Sequence, residues 1–206
     1  MDVSSPIEKK MYPYKKTPKS KSKFLECTFT YDHLRAGYHN FSILKNRLDL
    51  DKPINILELG AYEGRSAIFM LENFCKHKDS KITTVDWELN EAKETLEKNI
   101  QICDSNKLKY IEGNFFDVLP KLLVEKNKYD LIYIDGGKES KTTIFQIILA
   151  WQLLEKNGIL YMDDYEWGVN PLKEERPKEG IDFFLSIFKN DYELIFQNWQ
   201  VAVIKK

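Results

Sequence analysis

The sequence predicts one open α/β domain, a seven-stranded sheet that is mostly parallel, covered by helices on both faces and closed by a C-terminal antiparallel hairpin. Three observations carry this. Beyond Pro53, short continuous apolar runs alternate with amphipathic stretches; the first run ends in a loop with two glycines, Gly60-Ala-Tyr-Glu-Gly64; and the last two runs are separated only by Asn198-Trp199. Continuous apolar strands joined by helices imply a parallel sheet buried on both sides. Two strands so close together are antiparallel, because a parallel return needs about a dozen residues.

The strand-like runs are 54–59, 82–86, 108–112, 129–135, 158–163, 192–197 and 200–204. The stretches with helical periodicity are 65–76, 90–103, 116–124, 142–154 and 178–189. Pro120 inside the third of these predicts a helix that is short or begins near the proline. Asn157-Gly158 reads as a helix stop and turn leading into the fifth strand. Ahead of the sheet, Phe24, Leu34, Tyr38, Phe41, Leu44 and Leu48 predict a helical lead-in over 24–52. Residues 1–23 carry Ser, Pro and Lys with little periodicity, cannot bury enough surface to offset their ordering entropy, and read as a flexible arm. The domain is therefore expected over 24–206.

At 206 residues and 43% apolar content, the chain suffices for one core and is short for two ordinary domains. Its 31 basic and 32 acidic residues leave a net charge of -1, without the basic excess of a nucleic-acid binder. Seven lysines against Asp2 and Glu8 give residues 1–23 a charge of +5, so the remainder stands at -6. Three cysteines at wide spacings and no CxxC pair point to a reducing compartment, and no apolar run approaches a bilayer span. The expectation is a soluble, cytoplasmic protein with no membrane or nucleic-acid partner and with a homodimer left open.

The loop Glu58-Leu-Gly60-Ala-Tyr-Glu-Gly64-Arg-Ser66 lies where the first strand hands over to a helix. Glycine there lets backbone approach a ligand, and this carboxyl-end crevice is where open α/β sheets bind ligands. The spacing is G-x-x-x-G, not the G-x-G-x-x-G of a dinucleotide site, and Glu58 would oppose a pyrophosphate, so an NAD-type oxidoreductase is disfavoured. A carboxylate at that place suits a cationic or hydroxyl-bearing ligand. Asp86 ends the second strand, where an acid can accept hydrogen bonds from ribose hydroxyls, and Trp87 beside it can stack on an adenine. Asn114, after the third strand, can read an adenine edge; each of these residues also has a plain reading as a turn former or helix cap.

In order along the chain, Glu58–Ser66, Val85-Asp-Trp87, Glu112-Gly-Asn114, Leu131-Ile-Tyr-Ile-Asp-Gly136, Leu153-Leu-Glu-Lys-Asn-Gly158 and Met162-Asp-Asp-Tyr165 resemble class I S-adenosylmethionine-dependent methyltransferases, with their Rossmann-like seven-stranded sheet. The similarity is strongest to small-molecule enzymes with an E-G-x-S loop and a D-D-Y strand end. It implies that S-adenosylmethionine is the cofactor, with Glu58, Gly60, Ala61, Tyr62 and Ser66 at its methionine end, Asp86 on the ribose, and Trp87, Asn114 and Phe115 near the adenine. Where that group has a histidine after Asp-Gly-Ser, this chain reads Asp135-Gly-Gly-Lys138, so a histidine base is missing.

Asp135 with Lys138, followed by Asp163-Asp164, is instead similar to the catechol-type O-methyltransferases. That likeness implies Asp135, Asp163 and Asp164 around Mg²⁺ and Lys138 as the base, its pKa lowered by burial and the metal. Asp164 stands where an asparagine is usual and adds charge. The competing reading keeps Asp135 facing the methionine ammonium, Asp163 and Asp164 capping a loop, and Lys138 in solvent. The activity implied is methyl transfer to an oxygen of a small-molecule acceptor. An RNA or protein acceptor, or a catalytically silent cofactor-binding chain, stands as the alternative.

Overall fold

A computed structural model describes residues 23–32, 34, 37–87, 89–103, 106–167, 172 and 176–206. Apart from Lys23, which opens a 3-10 turn at Lys23–Leu25, the expected arm lies outside the described residues.

The lead-in helix α1 (Tyr38–Lys45) precedes β1 (Asn55–Leu59), α2 (Arg65–Asn73), β2 (Lys81–Asp86), α3 (Glu91–Cys103) and β3 (Leu108–Glu112). The second half runs α4 (Phe115–Val124), β4 (Tyr129–Ile134), α5 (Ser140–Leu153), β5 (Leu154–Met162), α6 (Pro177–Ile187), β6 (Tyr192–Gln197) and β7 (Val201–Lys205). The seven strands lie in the order β3-β2-β1-β4-β5-β7-β6. The first five are parallel, and β7 runs antiparallel to both β5 and β6. The predicted seven-stranded sheet with its closing hairpin is what forms. β1 and β4 pair directly, in parallel, although two strands intervene in sequence, and the order in which successive strands are added across the sheet reverses at this pair. Such a switch point opens a crevice at the carboxyl ends of the strands.

The continuous apolar strands are explained by the two cores they feed. Ile56 faces α1 and α2 with Phe41, Leu44, Ile68 and Met70, whereas its neighbour Leu57 faces α4, α5 and α6 with Leu119, Ile147, Trp151 and Phe184. Side chains alternate faces along a strand, so a strand buried on both sides has no polar register left.

Two local expectations are overturned. Pro120 does not shorten α4, which starts at Phe115 because Asn114 caps it, its Oδ1 accepting from the Phe116 amide at 2.9 Å; the proline is carried inside the helix at the loss of one backbone donor. The fifth strand begins at Leu154, not Gly158. α5 ends at Leu153 with Leu154 already extended, Tyr129 pairs with Leu154, and the register then jumps to Leu131 opposite Ile159. Asn157, at φ +64°, makes the turn in that bulge.

Candidate active site at the carboxyl ends of the strands

A cleft of about 1080 Å³ opens over the switch point, lined by the β1–α2 loop, the ends of β2 and β4, Asn114–Phe116, Asp163-Asp164, and Tyr31, Trp167 and Trp199. That exceeds what one drug-sized ligand requires and leaves room for two small molecules side by side.

The β1–α2 loop is shaped by close approach. Gly60 has φ +104°, and a Cβ there would sit 2.5 Å from the Asp135 carbonyl oxygen, so β1 and β4 end nearly in contact. Gly64, at φ +81°, caps α2, and Tyr62 also lies in the left-handed region at φ +45°. Asp86 holds this turn: its Oδ2 accepts from the Ala61 amide at 2.7 Å and the Tyr62 amide at 2.8 Å, and its Oδ1 accepts from Trp87 N at 2.8 Å. A carboxylate has about four acceptor positions, so Asp86 keeps capacity for a ligand's hydroxyls. Trp87 lines the cleft with 41% of its surface exposed, and Phe115 packs its ring against Gly136. Asn114 spends its oxygen on the α4 cap, which leaves its NH₂ end to offer a ligand.

Glu58 is fully buried behind this loop, and Thr84 Oγ1 donates to its Oε2 while Oε1 has no partner. Burial, tempered by the Ser66 and Thr84 hydroxyls, pushes its pKa up to about 8. Glu58 does not itself line the cleft; Gly60, Ala61, Tyr62 and Ser66, in front of it, do. A carboxyl raised in the folded state stabilises the fold most fully below its ordinary pKa. Stability therefore declines as pH rises from about 4.5 to about 8. Glu58→Gln is expected to remove that decline, making the ligand-free protein more stable than the parent at pH 8.5 by on the order of a few kcal/mol. Urea melts at pH 5 and pH 8.5 check this; equal slopes with pH in both proteins would refute it.

Asp135, Lys138, Asp163 and Asp164 come together as the sequence suggested, but in a different arrangement. Lys138 Nζ donates to Asp135 Oδ1 at 2.7 Å and pairs with Asp164 Oδ2, spanning the two acids. Asp163 accepts from the Tyr133 hydroxyl and from the Asp164 amide at 2.7 Å. Burial, with the charges of Asp135 and Asp164 added, pushes Asp163 up to about 7, and burial also raises Asp135 although Lys138 opposes it. For Lys138 the expected sign reverses. Burial pulls its pKa down, but the two carboxylates outweigh that and hold it above an ordinary lysine. A lysine so held is a donor and not a base.

The expected Mg²⁺ cage does not fit this arrangement. The ammonium occupies the space between Asp135 and Asp164, Asp163 turns onto Tyr133, and among the described residues no three His, Cys, Asp or Glu side chains are set to hold a metal ion.

The sequence reading missed the wall opposite the loop. Asn40 of α1 donates to Gln200 Oε1 at 2.7 Å, Tyr161 donates to the same atom, and Asn198 donates to Asn40 at 3.2 Å, which fixes the hairpin tip that carries Trp199. Arg65 pairs with Asp32 at 2.9 Å and lies over the Phe24 and Phe29 rings, and Thr30 N donates to Glu63 at 2.6 Å, seating the lead-in beside the cleft. A tryptophan in the short hairpin turn, which in the structure is the three residues 198–200, was the available signal. His39 is exposed, the His77 ring contacts Asp79 of its own turn while the His77 carbonyl accepts from Lys107 Nζ at 2.8 Å, and His33 lies outside the described residues.

A family model described as a methyltransferase domain matches residues 57–165, just over half of the chain. The chain belongs to this methyltransferase family. It is 32% identical over 121 residues to O-methyltransferase hkm8 of Aspergillus hancockii, a match covering 55% of this chain and 43% of that protein. It is 34% identical over 136 residues to protein-L-isoaspartate O-methyltransferase of Methanococcus vannielii, covering 60% of each. The chain thus spans less than two thirds of the length of either relative. The fold matches the Bacillus cereus O-methyltransferase solved in complex with SAH, with TM-score 0.68, 15% identity and 92% of both chains covered. No described helix is long and apolar enough to cross a membrane.

Proposed function

We propose that this methyltransferase uses S-adenosylmethionine and transfers its methyl group to an oxygen of a small-molecule acceptor. The observation that carries the reading is the glycine turn after β1, gripped by Asp86 from the end of β2 and opening onto a cleft with room for a second small molecule. In this reading Asp86 takes the ribose hydroxyls, Trp87, Asn114 and Phe115 flank the adenine, and Gly60, Ala61, Tyr62 and Ser66 face the methionine end with the buried Glu58 behind them. The bound cofactor supplies an electrophilic sulfonium methyl.

The chain's own residues then have to hold the acceptor oxygen in line with that methyl, and much of the rate comes from this positioning. Lys138, kept protonated between Asp135 and Asp164, fixes the positions of these two carboxylates beside the acceptor. As the carbon–sulfur bond breaks and the carbon–oxygen bond forms, the hydroxyl proton passes to Asp163, the acid of the three that Lys138 does not hold. Asp163→Asn is expected to lower kcat by about 100-fold or more with S-adenosylhomocysteine affinity within about threefold of the parent. An unchanged kcat in single-turnover assays would remove Asp163 from this role.

The reading as a whole is tested by supplying S-adenosylmethionine carrying a labelled methyl to the protein with a whole-cell extract that is then separated into small molecules, protein and RNA. Label in the small-molecule fraction supports it. Label confined to protein or RNA moves the acceptor to a macromolecule, and tighter binding of NAD than of S-adenosylhomocysteine overturns the cofactor.

A further inference from the structure

Resting on the methyl-transfer reading, we propose that the acceptor is a small aromatic cation, a planar ring bearing an organic ammonium group, and that anionic acceptors are rejected. Two independent features of the cleft carry this, its charge and its exposed rings.

Among the described residues the charge is one-sided. Among the described residues lining the cleft, Glu63, Asp86, Asp135, Glu139, Asp163 and Asp164 face only two cations, Arg65 and Lys138. Both cations are already committed. Arg65 is turned to Asp32 and the Phe24 and Phe29 rings, and Lys138 spans Asp135 and Asp164. A carboxylate or phosphate on the acceptor would enter a partly buried space where each described cation already has its own carboxylate. An ammonium would instead meet three acids served by one lysine, and its charge would favour the ionised form of Asp163, in surroundings where such interactions are several times stronger than in water.

The rings are a separate observation. Tyr31 is 61% exposed and Trp199 43% exposed, and both line the cleft with Trp167; Trp167 N donates to the Asp164 carbonyl and Tyr165 N to the Trp199 carbonyl, each at 2.9 Å, which keeps these two indoles next to the acid cluster. The hairpin tip that carries Trp199 is fixed by the buried Asn40–Gln200–Tyr161 contacts, so its indole is presented on a rigid support. Aromatic faces next to carboxylates bind flat rings by stacking and cations through their π-face.

The test uses the S-adenosylhomocysteine-loaded protein in EDTA, titrated calorimetrically with two sets of near-isosteric probes. One is tyramine, tyrosol and 4-hydroxyphenylacetate; the other is tryptamine, tryptophol and indole-3-acetate. In at least one set the cation is expected to bind tenfold or more tighter than the anion, with the alcohol between them. Asp164→Asn should compress that ratio below about threefold, and Lys138→Met, which removes positive charge, should widen it. Opposite signs from two substitutions in one cluster would not come from general loss of structure. Equal or tighter binding of the anions, or no binding by any probe, overturns the proposal. So does Mg²⁺ that binds in place of EDTA and reverses the order, because the excess charge would then belong to a metal. Failure to bind S-adenosylhomocysteine is a different result, which brings down the methyl-transfer reading itself.

Discussion

Asp86→Ala is expected to weaken S-adenosylhomocysteine binding by about 100-fold or more. The carboxylate has two tasks, bracing the Ala61 and Tyr62 amides of the glycine turn and, in the proposed complex, receiving the ribose hydroxyls. Hydrogen bonds to a charged group contribute about 1.5–3 kcal/mol each, so losing two is sufficient for that factor before any loosening of the turn. Asp86→Asn separates the two tasks. It keeps the shape and one acceptor oxygen, and should fall between the parent and alanine. Calorimetric titration of the three proteins decides it; an alanine variant within about threefold of the parent would dissociate Asp86 from the cofactor.

Gly60→Ala is expected to damage the fold itself. The new methyl would lie 2.5 Å from the Asp135 carbonyl oxygen and 2.9 Å from the Gly136 nitrogen, and both are backbone atoms that no rotamer change can move aside. The residue also sits at φ +104°, a conformation side chains disfavour. Spreading the ends of β1 and β4 to make room would disturb the sheet at its switch point. A cost of about 3 kcal/mol or more corresponds, at this chain length, to a fall in Tm of roughly 10 °C. Gly113→Ala offers a contrast, because its new methyl meets only the Val118 side chain, at 2.7 Å. If Gly60→Ala melts no lower than Gly113→Ala, the close approach of the two strands is not what requires glycine.

The strands were legible because burial on both faces leaves an uninterrupted apolar run, and the hairpin because Asn198-Trp199 is too short for any other return. The start of β5 was not, since the bulge at Glu155–Gly158 is polar and reads as a loop until β4 pairs with it. Pro120 misled for a similar reason. The periodicity and the Asn114 cap outweighed a single missing donor. At the site, the glycine loop and Asp86 could be placed because their spacing is local to consecutive β–α units. The sequence also brought Asp135, Lys138, Asp163 and Asp164 to adjacent strand ends. It did not reveal that Lys138 would lie between two carboxylates, because the sign of its pKa shift depends on side-chain directions set by Tyr133 and by the turn at Asp164. Arg65, Asn40 and Gln200 left no pattern of their own, since their partners are remote in sequence.

That remoteness bears on the order in which the molecule can be assembled. The contacts that shape the glycine turn join residues 24 and 25 positions apart, whereas Asn40 meets Asn198 and Gln200 across 158 and 160. Closing so long a loop is slow and comes after the local units are in place. During synthesis, the half of the cleft around Asp86 can therefore form while the chain is still growing. The Trp199 wall must wait for the final strand, so the two halves of one site are completed at opposite ends of the folding process.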